Sequence, residues 1–202
     1  MPNIWIIREN ELPAPRTGYD LVLWMAPRLP AEVQVRTWAG WSETPIIAWD
    51  ASGAMLAFNA QPQEWKHTIL AIGSGRVFKF QGHYIAWLVE ADLRIPEIPR
   101  ALAVAGVTLI ISTTAHWTPV YLNPLWRAAQ ANQIWGMTVG EYPALFGPCE
   151  LDPAEEGVMP LTSEGTLCSV SLDFNQLSEA RRIFPVHQGL RANLYRTQKW
   201  WS

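Results

Sequence analysis

Two thiols, four imidazoles and one close set of carboxylates are the groups of this chain best suited to chemistry. Cys149 follows Gly147-Pro148 and Cys168 lies in an apolar stretch, and neither has a His or Lys near it in sequence. A thiol with no base beside it packs as a small hydrophobe, so both read as structural rather than as nucleophiles. Two cysteines are also too few for a disulfide framework or a thiolate zinc site. His67, His83, His116 and His187 are scattered without ligand spacing, so no metal is expected, and no motif asks for a cofactor. Glu90, Asp92 and Glu97 stand together directly after the apolar run Ile85–Val89. Glu90, alone or with its neighbours, has the chemistry of an acid, a base or a metal ligand. The weightier reading is that it pairs with Arg94 or Arg127 or faces solvent. His116-Trp117 follows the run Val107–Ile111 and offers either a small-molecule contact or a loop packing element.

The scaffold that must hold these groups is bounded by composition. At 22.8 kDa the chain has the length of one domain. Hydrophobic residues make up 49%, enough for a sizeable core, and charged residues only 16%, below the ~25% of a typical soluble domain. With 12 Trp besides, that balance predicts more apolar surface than a free monomer carries, and hence a protein partner. Fifteen Lys and Arg against 18 Asp and Glu, with no basic run, exclude nucleic acid as a partner. No basic region precedes Ile4–Ile7, so no signal peptide is expected. The longest clean apolar run, Ala101–Ile111, is far short of the ~20 residues that span a bilayer. The expectation is a soluble, reduced, cytoplasmic protein without a membrane span.

Proline and glycine divide the chain into short segments. Leu21–Met25 is too short for a helix and reads as a buried strand. Ile46–Asp50 and Ala54–Phe58 form a hairpin turning on Ser52-Gly53, and Arg76–Phe80 and His83–Val89 a second one on Gln81-Gly82. Pro96–Ala105 is helix-prone and leads into the strand Val107–Ile111, which makes a β-α-β unit with Ile85–Val89. Pro124–Ala131 predicts a helix, Gln133–Val139 and Leu167–Leu172 strands, and Asn175–Ile183 an amphipathic helix ended by Pro185. Arg28–Glu43 reads as a long loop. The class is α/β with mixed sheets.

Several of these segments, in order, resemble the nitrilase (carbon–nitrogen hydrolase) superfamily. Glu90-Ala91-Asp92-Leu93-Arg94-Ile95-Pro96-Glu97, followed by Arg100–Val107, is similar to the family's Cys-Tyr-Asp-Leu-Arg-Phe-Pro-Glu and the Ala-rich helix after it. Gly18–Trp24 resembles the strand before the family's first catalytic residue. Ser112–Trp117 resembles its Pro-Thr-Ala-Trp loop, Trp126–Val139 its Trp…Arg-Ala-x-Glu-Asn helix and strand, and Phe174–Tyr195 its C-terminal Leu-x-x-x-Arg…Phe-Pro-Val…Leu-Tyr ending. The resemblance implies an αββα sandwich, two mixed sheets with flanking helices, over a single domain at 1–196 with a Trp-containing tail at 197–202. It also implies trimming in the N-terminal half. Arg8–Thr17 is short where the family has a long helix, and only nineteen residues separate Ala26 from Ile46.

The family's reaction needs a Cys nucleophile, a Glu base and a Lys to stabilise the oxyanion. Carried over by resemblance, the Cys falls on Glu90, the Glu on Ala26, and the Lys near Gln61, with Lys66 as an alternative. The Glu of the Glu-Asn pair falls on Ala131. None retains its reactive group, so the resemblance implies a catalytically inactive member acting as a structural or regulatory subunit of a homo- or hetero-oligomer. The alternatives are a hydrolase with altered chemistry and a small-molecule sensor using the remaining pocket, with Glu90, His116 and Trp117 as ligand contacts. Trp24, Trp49, Trp87 and Trp135 lie in strand-like runs and are expected in the core. Trp38, Trp41, Trp126, Trp200 and Trp201 are the interface candidates, since Trp is enriched at binding hot spots.

Overall fold

A computed structural model describes residues 2–7, 18–25, 32–42, 44–49, 55–58, 76–112, 123–139, 143–159, 161–164 and 167–186. The strands are β1 Asn3–Ile7, β2 Leu21–Met25, β3 Ile46–Trp49, β4 Met55–Phe58, β5 Arg76–Phe80, β6 His83–Leu88, β7 Val107–Ser112, β8 Trp135–Thr138, β9 Ala144–Phe146, β10 Val158–Met159, β11 Thr162–Glu164 and β12 Leu167–Ser171. The helices are α1 Glu32–Ser42, α2 Glu90–Leu93, α3 Glu97–Val104, α4 Pro124–Asn132 and α5 Gln176–Ile183.

The strands form two six-stranded mixed sheets, ordered β11-β12-β1-β2-β3-β4 and β10-β9-β8-β7-β6-β5. Starting from the hairpin edge, β4-β3 or β5-β6, both sheets repeat one series of pairings: antiparallel, parallel, parallel, antiparallel, antiparallel. In each sheet three parallel strands therefore end together, and the carboxyl ends of such strands are where α/β folds place their sites.

Period-2 alternation explains the layering. Ile4, Ile6, Leu21 and Leu23 of one sheet meet Ile85, Trp87, Leu109 and Ile111 of the other in a shared central core. The residues between them face outward. Ala86, Leu88 and Ile110 pack under α2, α3 and α4, with Leu93, Leu102, Leu125 and Ala129 supplying the helical side. Trp5, Ile7, Val22 and Trp24 pack under α1 through Val35, Trp38 and Ala39. A strand buried on both faces has no polar alternation, which is why Leu21–Met25 is an unbroken apolar run.

The segment expected as a long loop, Arg28–Glu43, is largely α1. Val35, Trp38 and Ala39 have the i, i+3, i+4 spacing of one buried helical face, while Val33 is turned to solvent at 66% exposure. Trp5 stacks on Tyr19 at 5.0 Å and lies 6.2 Å from Trp38. This tryptophan layer covers the outer face of the first sheet, with α1 as its only helix among the described residues.

Two connections fix the rest. Asn123 caps α4, its Oδ1 accepting from the Leu125 and Trp126 N–H groups at 2.9 and 3.3 Å, with Pro124 at the first helical position. The Gln81-Gly82 turn has positive φ at both residues, 46° and 85°, as a two-residue hairpin with right-handed strand twist requires. From that turn Gln81 Nε2 donates to Asp20 Oδ1 at 3.1 Å, linking the two sheets. No helix among the described residues is long and apolar enough to cross a membrane.

Candidate functional site

The site is built at the carboxyl end of β6. The strand stops at Leu88, Val89 remains extended, and α2 starts at Glu90, so the chain makes a strand-to-helix elbow there. The Val89 carbonyl accepts from the Asp92 and Leu93 N–H groups at 3.1 and 3.3 Å, which closes the turn. Glu90 is thereby held at the mouth of the sheet rather than in its core, with its side chain 30% exposed. Its Oε1 accepts from Arg94 Nη2 at 2.5 Å, one helical turn along. Of the pairings expected from the sequence, Arg94 is the one seen. A carboxylate bound to a guanidinium has its lone pairs engaged, and at this position it would oppose an oxyanion rather than stabilise one.

Beside the elbow, Leu88, Ser112 and Thr138 pair across the ends of β6, β7 and β8. Ser112 is fully buried and its hydroxyl has no hydrogen-bond partner. Thr138 Oγ1 donates to the Ala144 carbonyl at 3.4 Å. A nucleophile needs access to substrate, and Ser112 has none.

Both thiols lie on elements other than the elbow. Cys168 is in β12, buried, in register with Ile6 of β1. Cys149 follows β9, where its N–H donates to Gln130 Oε1 at 2.7 Å. Burial first, then the charges of Glu150 and Glu156, push the Cys149 thiol above its ordinary range. That suppresses the thiolate, the opposite of what a nucleophilic cysteine requires. His83 lies at the start of β6, stacked on Phe174 at 4.0 Å, and burial lowers its pKa. Among the described residues no group of three or more His, Cys, Asp or Glu could hold a metal ion.

Of the four positions that the resemblance matches to reactive residues, Glu90 and Ala131 fall among the described residues. Ala131 is exposed on α4 and lines an external groove that it shares with Arg94. Ala26, Gln61, Lys66, His116, Trp117, Trp200 and Trp201 lie outside the described residues. Trp24, Trp87 and Trp135 are buried as expected, and Trp49 stands in β3. Trp38, expected at an interface from a loop, is instead 5% exposed in α1 and packed within its own chain. Trp41 is carried by the same helix. Trp126, on α4, is half-buried and donates its indole N–H to the Glu156 carbonyl at 2.8 Å. Sequence reasoning did not find the external groove. Its signal was three arginines, Arg94, Arg100 and Arg127, on adjacent helical segments.

No protein-family model matches the chain. It is 28% identical over 115 residues to an (R)-stereoselective amidase of a Pseudomonas species, a match covering 52% of this chain and 42% of the amidase. The chain thus spans less than half the length of that curated relative. Among solved structures it is similar to Nit3 of Saccharomyces cerevisiae, a nitrilase-superfamily member, with 10% identity, TM-score 0.57 and coverage of 94% of this chain and 96% of Nit3. A carbon–nitrogen hydrolase superfamily protein of Xanthomonas campestris gives 14% identity, TM-score 0.60 and coverage of 94% and 97%. A mutant amidase from Nesterenkonia sp. AN1, which carries the acetamide moiety of fluoroacetamide on its active-site cysteine, gives 15%, 0.59 and 96% of both chains. The chain has the nitrilase-superfamily fold, two mixed sheets with flanking helices.

Proposed function

We propose that this protein is a carbon–nitrogen hydrolase-like chain that does not use cysteine chemistry and works by binding, as a structural or regulatory subunit of a protein assembly. The observation that carries this reading is Glu90, paired with Arg94 at the strand–helix elbow where the family resemblance puts the thiol. The reaction of the family splits an amide or nitrile bond through a covalent thioester-type intermediate, which needs a thiolate in reach of substrate. Cys168 is in the core, and burial with the charges of Glu150 and Glu156 pushes the Cys149 thiol up, which disfavours either as a replacement. What remains is a rigid sandwich with an outer helical layer, α2 to α4, and Ile95 exposed at 44% between α2 and α3. Light scattering on the purified chain, with capture from native lysate, tests the assembly role. A monodisperse monomer that captures nothing opposes it.

A second reading is a hydrolase of amides or related compounds with altered chemistry at Glu90, and the partial identity to the amidase favours it. Ammonia release from a panel of amides and nitriles separates the two. Turnover that is lost on Glu90→Gln supports the second reading.

A further inference from the structure

We propose that α5 is a releasable strap, latched at its carboxyl end by Gln133 and able to open while both sheets stay folded. α5 follows β12 of the first sheet, yet it is held at the starts of strands in the second. Phe174, which leads into it, stacks on His83 at the start of β6, and Leu177 belongs to the shared central core. Gln133, between α4 and β8, holds the other end. Its Nε2 donates to the Ala180 and Phe184 carbonyls at 3.2 and 2.5 Å. Arg181 Nη2 donates back to the Gln133 carbonyl at 3.1 Å. The last turn of α5 is thus tied to the cap of α4.

This latch is costly to form. Gln133 has φ 48°, in the left-handed region where a side chain is strained, at a cap position that Gly or Asn usually fills. It is fully buried, and its Oε1 has no hydrogen-bond partner. Arg181 Nε is likewise sealed from solvent without a partner. Each such orphan carries the desolvation cost of its group. Apolar burial adds little at this end, because Ile183 and Phe184 are both exposed. An element held by a few penalised hydrogen bonds, with little apolar burial behind them, opens at a free energy below that of global unfolding. A glycine at 133 would cap α4 without strain, so what the glutamine adds is its hold on α5. Opening bares the seat of Phe174 and Leu177 at the amino ends of β6 and β8, opposite the Glu90 elbow, and leaves the elbow intact.

The test is native-state hydrogen exchange of the full chain, followed by NMR at urea concentrations too low to unfold it. The amides from Ala180 to Phe184 should exchange through an opening with a shallower urea dependence than Leu109 and Ile110 of β7, because less surface is exposed. Gln133→Asn keeps a residue type that tolerates this φ, but its side chain is a methylene shorter and falls short of both carbonyls. Gln133→Gly removes the side chain and relieves the strain, so it gives a folded second variant. Each should speed α5 exchange about 10- to 100-fold, the loss expected for two buried hydrogen bonds. Wild-type α5 amides that exchange only with the urea dependence of β7 overturn the proposal. So does α5 exchange that is unchanged in either variant. None of these outcomes bears on whether Glu90 is inert or on whether the chain assembles.

Discussion

Truncating Trp38 separates self-coverage of the first sheet from coverage by a partner. The ring is 5% exposed and lies 6.2 Å from Trp5, in the layer that α1 lays over β1, β2 and β3. Trp38→Ala exposes or empties about 200 Å² of ring surface, which at ~25 cal/mol per Å² is about 5 kcal/mol. Large-to-small changes at buried Trp cost about 3–5 kcal/mol once relaxation is included. Native domains have only about 5–15 kcal/mol in total, so the variant should sit near its unfolding limit. Trp38→Phe keeps most of the contact and should cost about 1–2 kcal/mol. Urea unfolding followed by far-UV circular dichroism reads both, at low protein concentration to remove association. If Trp38→Ala lowers stability by less than about 1 kcal/mol, the ring is not holding α1 down, and the self-covering layer described above is wrong.

Three further predictions concern other parts of the fold. Burial lowers the His83 pKa below its unfolded value of about 6.5, so the unfolded chain binds the proton more readily. The associated stability is complete above about pH 6.5 and is lost as pH falls through the folded-state pKa. His83→Phe keeps the stack on Phe174 and should reduce the drop in urea midpoint on acidification, and an unchanged drop would assign the dependence elsewhere. Asn123→Ala removes the cap of α4 and should cost about 1 kcal/mol, a fall of about 2–4 °C in Tm by calorimetry. Cys149, with its thiol pKa raised by burial, Glu150 and Glu156, should react with iodoacetamide more slowly than free glutathione at neutral pH. Mass-spectrometric labelling should show the rate rising when Glu156 is replaced by Gln.

Much of this fold is legible in the sequence because most of its strands are buried on both faces or turn on glycine. Leu21–Met25 appears with its expected bounds, and the Gln81-Gly82 hairpin with its second strand ending at Leu88, one residue short of the expected Val89. Pro124 and Asn123 mark the start of α4 through capping chemistry that is local. α1 is hidden because Val33 breaks its apolar face, Gly40 lies inside it, and prolines 27 and 30 precede it. Its helix forms through tertiary packing on Trp5 rather than through propensity. β9, β10 and β11 have two or three residues each, too few for any period to register. At the site, the elbow and the Glu90–Arg94 pair follow from i, i+4 spacing after a strand. The α3–α4 groove does not, because it depends on how two helices pack and no sequence spacing records that.

By the proposed reading, none of the described residues performs nucleophilic attack on an amide or nitrile. Intact-protein mass spectrometry after incubation with fluoroacetamide, run beside an ammonia-release assay on amides and nitriles, tests it most directly. The expected result is an unmodified mass under native conditions and ammonia at the buffer level. A single stoichiometric acetamide adduct, or ammonia release that disappears in Glu90→Gln or Cys149→Ser, would contradict it.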